Sequence, residues 1–418
     1  MKALVTMTGS PTSIFVVRRL RDLGYEVTAI DSNQRSYCSY SNAVQKTLVA
    51  PSLREQPRQF AEFVLGELKQ TAYDVYFPVF ECGFLMAYYQ DEIRQMTRMV
   101  SMPYPDIQAA HNKENLQVFG RKAGVKVIEN TLAPASLAEA RSLCRAIDYP
   151  VVIKGKSSCN AHGQSIVLDP AGLDQIYLSL VERQGWTANL PLIQPFITGS
   201  MISSVSLACQ GQRMGGVLFK ALRTVPRVGG TSSYRETIDH PVCEQFDRQL
   251  IETLNWTGFI SFDYMQDDKT GEVFLIDCNP RLAPGVALGY FAGADLIQGC
   301  LDLAYGRPIG PLGRAAPGVR SKLDFLDLGW MLHILGDTKL SPRQKGRYYL
   351  EWAKRSDAHD DILDWRDLRP HAALYLFLLR HAPRLLGPHG GEIFYQHALF
   401  QAPVFQAQLG EPDVFERA

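Results

Sequence analysis

Three largely apolar runs, KALVTM at 2–7, YEVTAID at 25–31 and VYFPVF at 75–80, alternate with segments that read as helices. Strands of this kind, interleaved with helices, predict a mostly parallel sheet covered on both faces. The first helix follows Gly9-Ser10, takes Pro11 at its first position, and its run TSIFVVRRLRDLG stops at Gly24. Ser52 and Glu55 predict a capping box before the helix QFAEFVLGELK. A dinucleotide fingerprint is absent. Gly9 stands alone where GxGxxG would follow the first strand, and Asp31 reads as an acid at a strand end.

Near residue 106 the rhythm changes. DIQAAHNKENLQVFGRKAG predicts one helix, and Ser136 with Glu139 predicts a capped helix ending near Ile147. The strand YPVVIK ends on Lys154, followed by the loop GKSSCNAHGQ (155–164) and the strand SIVL. LIQPFI (192–197) reads as a buried linking strand. MISSVSLACQ and RMGGVLFK predict an antiparallel pair joined at Gly211-Gln212. RTVPRVGGTSSYRE reads as a loop, and a helix spans about 241–254. FISFDYMQ, the turn DDKTG and EVFLIDCNPR predict a final hairpin. Beyond 306, segments rich in Arg, Leu, His and aromatics predict a mainly helical extension. The rhythm therefore divides the chain near residues 106 and 307.

A chain of 418 residues exceeds one ordinary core. Its 43 Lys+Arg balance 43 Asp+Glu, which argues against a nucleic-acid partner bound mainly by phosphate neutralisation. The eight cysteines include no CxxC pair, so buried thiols in a reducing cytoplasm are expected instead of zinc or a disulfide framework. The N-terminal MKALVTMTGSPTS lacks the apolar run of a secretion signal. HAALYLFLLRHAPRLLG (371–387) is broken by Arg380 and Pro383, so no stable membrane insertion is expected.

The final hairpin carries the chemistry. Strand alternation puts Asp277, Asn279 and Arg281 on one face, and a short hairpin brings Asp263 beside Asp277. Two facing carboxylates repel unless a cation lies between them. Hard oxygen donors with an added amide suit Mg2+, with Mn2+ as an alternative, better than zinc. Magnesium points in turn to a nucleoside triphosphate, with Arg281 facing the phosphate in transfer.

These residues, together with Lys113, Lys154 and QPFI (194–197) upstream, resemble the ATP-grasp enzymes, in the branch of biotin carboxylase and the carbamoyl phosphate synthetase large subunit. The resemblance covers roughly residues 1–306. It implies an α/β and α+β fold: an N-terminal Rossmann-like pre-ATP-grasp domain at 1–105, a first lobe at 106–190, a second lobe at 191–306, and the helical extension. It implies a metal on Asp263, Asp277 and Asn279, with Asp277 replacing the commoner Glu. Lys113 and Lys154 are expected on ATP phosphates, and Gln194, Phe196 and Ile197 at the hinge beside the adenine. The loop 155–164 departs from the family's glycine-rich flap, leaving Ser157 and Ser158 as phosphate donors. The segment after RMGGVLFK resembles a family loop near the acyl phosphate. It supplies Lys220 and Arg223 as catalytic candidates with Arg281, and Arg227, Gly229 and Gly230 as substrate contacts.

The implied activity is an ATP-dependent carboxylate–amine ligase that forms an amide through an acyl phosphate. The alternatives are a carboxylase or carbamoyl phosphate-forming enzyme, or a non-catalytic ATP-binding regulator. Its partners are a small-molecule carboxylate and amine, and a homodimer is compatible with these features. The tail repeats no lysine–hinge–acid series, and its apolar runs LDFLDLGWMLHIL and ALYLFLLRHAPRLL predict packing on the body or on a second copy.

Overall fold

The computed structural model describes residues 1–157, 164–184, 190–225, 227, 230–309, 312–354, 357–385, 400 and 402–409. The first 94 residues form β1 (Lys2–Thr6), α1 (Pro11–Asp22), β2 (Glu26–Asp31), β3 (Val44–Val49), α2 (Pro57–Gln70), β4 (Val75–Pro78), α3 (Cys82–Tyr88) and α4 (Gln90–Arg94). The four strands make a parallel sheet in the order β3-β2-β1-β4. Pro11 opens α1, as read from the sequence. Gly9 donates its N–H to Asp31 Oδ2 at 2.6 Å and Asn33 donates to Oδ1 at 2.8 Å, so this acid closes the β1–α1 loop. The expected capping box at Ser52 is instead a turn. Glu55 N–H donates to Ser52 Oγ, but the helix begins at Pro57, whose fixed φ suits its first position.

The next elements are α5 (Tyr104–His111), α6 (Lys113–Lys122), α7 (Leu137–Ala146), β5 (Val151–Lys154), β6 (Ser165–Val167), α8 (Pro170–Gln184) and β7 (Leu192–Pro195), with an antiparallel sheet β6-β5-β7. The single helix expected over 106–124 is two. Asn112 leaves helical geometry, and its side chain accepts the Glu114 N–H at 3.0 Å, capping α6. Lys113 thereby becomes the first residue of α6. Ser136 caps α7 by accepting the Glu139 N–H, while the Glu139 carboxylate reaches back to the Ala135 N–H.

A larger sheet follows, built on β8 (Gly199–Cys209), β9 (Gln212–Val225), β10 (Thr231–Thr237), α9 (Pro241–Thr253), β11 (Gly258–Asp267), β12 (Val273–Asn279), α10 (Gly285–Phe291) and α11 (Leu296–Ala304). The β8–β9 turn is Gln210-Gly211, one residue earlier than expected, with both residues at positive φ. β9 also runs past Lys220 to Val225. β10 returns beside it, so the expected loop RTVPRVGGTSSYRE is mostly hairpin. β-Branched Thr224, Val225 and Thr231 extend the strands that the Gly-Gly pair in the sequence obscures.

The tail holds β13 (Arg320–Lys322), α12 (Asp324–Gly336), α13 (Pro342–Ala353), β14 (His359–Asp360), α14 (Arg369–Leu385) and α15 (Ala402–Leu409). It is mainly helical, yet its two short strands complete the sheet, whose order is β12-β11-β8-β9-β10-β13-β14. Phe325, Trp330, Ile334 and Ile362 share one apolar core with β1, α1, α10 and α11. Buried Arg18 of α1 locks the tail by donating to Asp367 at 2.9 Å and to the Ile362 carbonyl. No single described helix is long and apolar enough to cross a membrane.

Candidate active site

The hairpin β11–β12 makes Asp263 and Asp277 register partners, directly opposite one another. Its turn is fixed by Asp267, whose Oδ1 accepts the Lys269 and Thr270 N–H groups, and by Gly271 at φ 71°. Behind it, Leu116 and Phe119 of α6 and Leu250 of α9 pack against Phe262 and Leu275. The face that carries the acids is therefore held from its apolar side.

On that face, Asp263 accepts from Ser203 Oγ at 2.5 Å and from Asn279 Nδ2 at 3.2 Å. Asp277 Oδ1 lies 2.9 Å from Lys113 Nζ. Arg281 follows the end of β12. It donates to Asn279 Oδ1 at 3.3 Å and places its guanidinium 4.0 Å from the Phe80 ring centroid. Its Nε is buried with no hydrogen-bond partner. Burial, and secondarily the Asp277 charge, pushes the Asp263 carboxyl up to about 6. Lys154 ends β5 at 8% exposure. Burial pulls its ammonium down to about 8, with Asp277 and Asp263 opposing that shift and Lys113 adding to it.

Ser203, Asp263, Asp277, Asn279, Arg281 and Lys154 line a cleft of about 770 Å³, open to solvent, that also takes in Gln194, Phe196 and Ile197. Gln194 donates to Thr131 Oγ1 at 2.9 Å, and the Phe196 N–H is already donated to the Pro150 carbonyl at 3.0 Å. Arg227 and Gly230 line the same cleft. Ser157 is exposed just beyond β5 and is not itself a lining residue of the cleft. Ser158 and Gly229 lie outside the described residues.

Three sequence expectations change. Lys220 is opposite Ile202 in the β8–β9 register, whereas the next pair, Ser203 with Phe219, shares the face of Asp263. Strand alternation thus turns Lys220 to the opposite side of the sheet, away from the cleft. Arg223 does line the cleft, but both oxygens of Asp327 hold its guanidinium at 2.9 Å. Lys113 meets Asp277 from α6 and is not part of the cleft lining.

Other cleft residues escaped the sequence reading. Ser203 was legible from the alternation of SSVS once β8 is paired with β11. Arg235 donates to Ser321 Oγ at 3.0 Å and pairs with Asp361. Trp330 and Tyr348 come from the tail, and no local pattern points them here.

The donor set fits a hard divalent cation. Two opposed carboxylates, an amide oxygen and a carboxyl driven upward by burial and its neighbour's charge form a site that a cation would relieve. Three buried cations, Lys113, Lys154 and Arg281, surround the two carboxylates and leave the cluster positive, which suits a polyanion.

No family model matches the chain. The carbamoyl phosphate synthase large chain of Archaeoglobus fulgidus is 23% identical over 226 residues, which is 52% of this chain and 20% of that relative, so the match spans about a fifth of the relative's length. Among solved structures, a biotin carboxylase–ATP-analogue complex from Campylobacter jejuni superposes with a TM-score of 0.61 at 14% identity, covering 76% of this chain and 74% of the other. N5-carboxyaminoimidazole synthetase from Staphylococcus aureus gives 0.56 at 12%, with 74% and 78% covered. An L-amino acid ligase from Bacillus licheniformis gives 0.55 at 15%, with 74% and 77% covered. These superpositions show the fold alone: the chain has the fold of the ATP-grasp enzymes.

Proposed function

We propose that this chain is an ATP-dependent carboxylate–amine ligase that forms an amide through an acyl phosphate. One observation carries the reading: a buried cluster of Lys154, Arg281, Asp263, Asp277 and Asn279 lines one cleft, and the Arg281 Nε has no partner. A positive cluster with an unused buried donor is built to receive an anion, since such a donor costs stability until it is met. Asp263, Asp277 and Asn279 would hold magnesium or manganese, which when bound offsets phosphate charge. Lys154 neutralises a phosphate from the first lobe. Gln194, Phe196 and Ile197 form the wall that takes the base.

In the first step a carboxylate oxygen of the substrate attacks the terminal phosphorus of ATP, and ADP leaves. In the second, an amine nitrogen attacks the acyl carbon, phosphate leaves with the bonding pair, and the amine proton passes to solvent. Arg281 faces the charge that develops on the transferred group. Lys113 acts through Asp277, as a positioning residue. Ser157, Ser158 and Gly229 remain proposed phosphate and substrate contacts, and Arg227 and Gly230 line the substrate end. Arg223, held by Asp327, shapes that end. Lys220 is left without a catalytic part.

The reading includes division of the chain near residues 105, 190 and 306, a cytoplasmic setting, and a homodimer, an assembly that a 2-oxoglutarate carboxylase domain of the same fold also adopts. A second reading, in which bicarbonate is the acid, is favoured by the match to a carbamoyl phosphate synthase. A coupled ADP-release screen over acid and amine pairs tests both. Release that needs an organic acid and an amine supports the ligase, release that needs only bicarbonate supports the second reading, and binding of ATP without release under any condition removes both.

A further inference from the structure

The cleft does not end at the acids. Its far end is walled by Trp330 of α12 and Tyr348 of α13, two tail residues whose rings meet edge to face at 5.8 Å. Two arginines line the same end of the cleft beside these rings. The Arg223 guanidinium stands 5.1 Å from the Trp330 ring centroid, and that of Arg227 5.4 Å from the Tyr348 ring centroid.

Charge bookkeeping decides what such an end can hold. Arg223 is neutralised by Asp327, and Arg235 by Asp361. Arg227 is exposed, with Asp337 at 3.5 Å. The far end is therefore close to charge balance, unlike the positive cluster at the near end. A second polyanion has little to gain there, whereas a flat apolar group has an aromatic wall to pack on. The volume, about 770 Å³, is large within the roughly 300–1,000 Å³ usual for small-molecule sites, and so leaves room beyond a nucleotide.

We infer that the carboxylate substrate carries an aromatic group, which packs on Trp330 and Tyr348 while its carboxylate points to Arg281. The inference rests on the ligase reading above and narrows its substrate. It also gives the tail a part in the site: residues from beyond 306 select the acid.

The test uses the full chain with Mg-ATP and hydroxylamine, which traps acyl phosphates as hydroxamates whatever the natural amine. Benzoate, phenylacetate and 3-phenylpropionate are compared with acetate, propionate and succinate. The expected result is a kcat/KM at least tenfold higher for the best aromatic acid than for the best non-aromatic one. Tyr348→Ala should cut that preference by about five- to tenfold, mostly through KM. Trp330→Phe, which keeps a ring in the core, should preserve most of it. Equal turnover of both series, or a preference untouched by Tyr348→Ala, overturns the inference while leaving the ligase reading in place. If no acid yields ADP or hydroxamate, the ligase reading fails. Calorimetry with a non-hydrolysable ATP analogue then judges the pocket separately. Binding of 3-phenylpropionate that is lost in Tyr348→Ala supports it, and binding that is absent or matched by propionate sinks it.

Discussion

The Lys113 ammonium lies 2.9 Å from the Asp277 carboxylate. This contact ties the first turn of α6 to the strand that carries the acids, so one proposed metal ligand is paired with an ammonium from a distant part of the chain. The break at Asn112 makes the contact possible, because an unbroken helix would carry Lys113 in mid-helix rather than at the first position of a new one.

Asp277→Asn should therefore cost both stability and activity. It leaves an ammonium only 3% exposed without its carboxylate. Breaking a fully buried pair costs about 3–5 kcal/mol, and the 16% exposure of Asp277 brings the expectation nearer 2 kcal/mol. ADP release should fall more than 100-fold, beyond the roughly 10–100-fold usual when only a supporting group is lost. Calorimetric unfolding and the coupled assay measure the two effects. Normal turnover with Mg-ATP would remove Asp277 from the ligand set.

Lys154 predicts a proton linkage. Its ammonium is pulled down to about 8 from 10.5, so ligand-free protein loses this charge as pH rises through 8. A bound polyphosphate favours the charged form. ATP binding should therefore take up as much as one proton between about pH 8 and 10, and affinity should fall as pH climbs through that window. The sign for folding is opposite. The unfolded chain holds more protons there, so Lys154 adds stability as pH rises from 8 to 10.5. Calorimetry at pH 8.5 in buffers of different ionisation heat reads the uptake, and Lys154→Met should abolish it.

Much of this site was legible in the sequence because it is local. Asp277, Asn279 and Arg281 recur at every second position, and the turn at Asp267 and Gly271 declares the hairpin that brings Asp263 to Asp277. Lys154 announces itself as a charge ending an apolar strand. Lys220 was misread because its environment depends on whether residues 220–225 are loop or strand. In a strand, one step of parity separates it from Phe219 on the cleft face. Trp330, Tyr348 and the strands β13 and β14 were hidden for another reason. The three residues of β13 are too short a signal to predict a strand, and they become one by pairing with β10 on one side and β14 on the other. Glu81 accepts the Phe400 N–H at 2.8 Å and helps hold the tail, a contact between residues far apart in the chain.

The Arg223–Asp327 pair should prove structural. Both side chains are almost wholly buried, at 9% and 0% exposure. Asp327→Asn should destabilise the protein by about 3 kcal/mol, since it leaves a guanidinium against two aromatic rings with no carboxylate. Chemical denaturation measures this. An unchanged midpoint would show that the pair contributes nothing to the fold.

Gly199 starts β8 where no side chain fits. A Cβ there would sit 1.9 Å from the Gln266 carbonyl oxygen of β11. Gly199→Ala should force the two strands apart at that end and cost about 1–3 kcal/mol, in the range of overpacked cores. Because β11 also carries Asp263, nucleotide affinity should fall with it. Wild-type thermal stability in this variant would contradict the register.

β13 lies roughly 80 residues after β10, the strand it pairs with. At synthesis rates of about 5–20 residues per second, the outer edge of β10 waits on the order of 4–16 s for its neighbour to be made. Throughout that interval a row of open N–H and C=O groups faces solvent or another nascent copy, the situation that leads to wrong strand pairing. The tail thus makes the middle of this chain a late-maturing region, and slow translation between residues 240 and 320 is where misassembly should be most frequent.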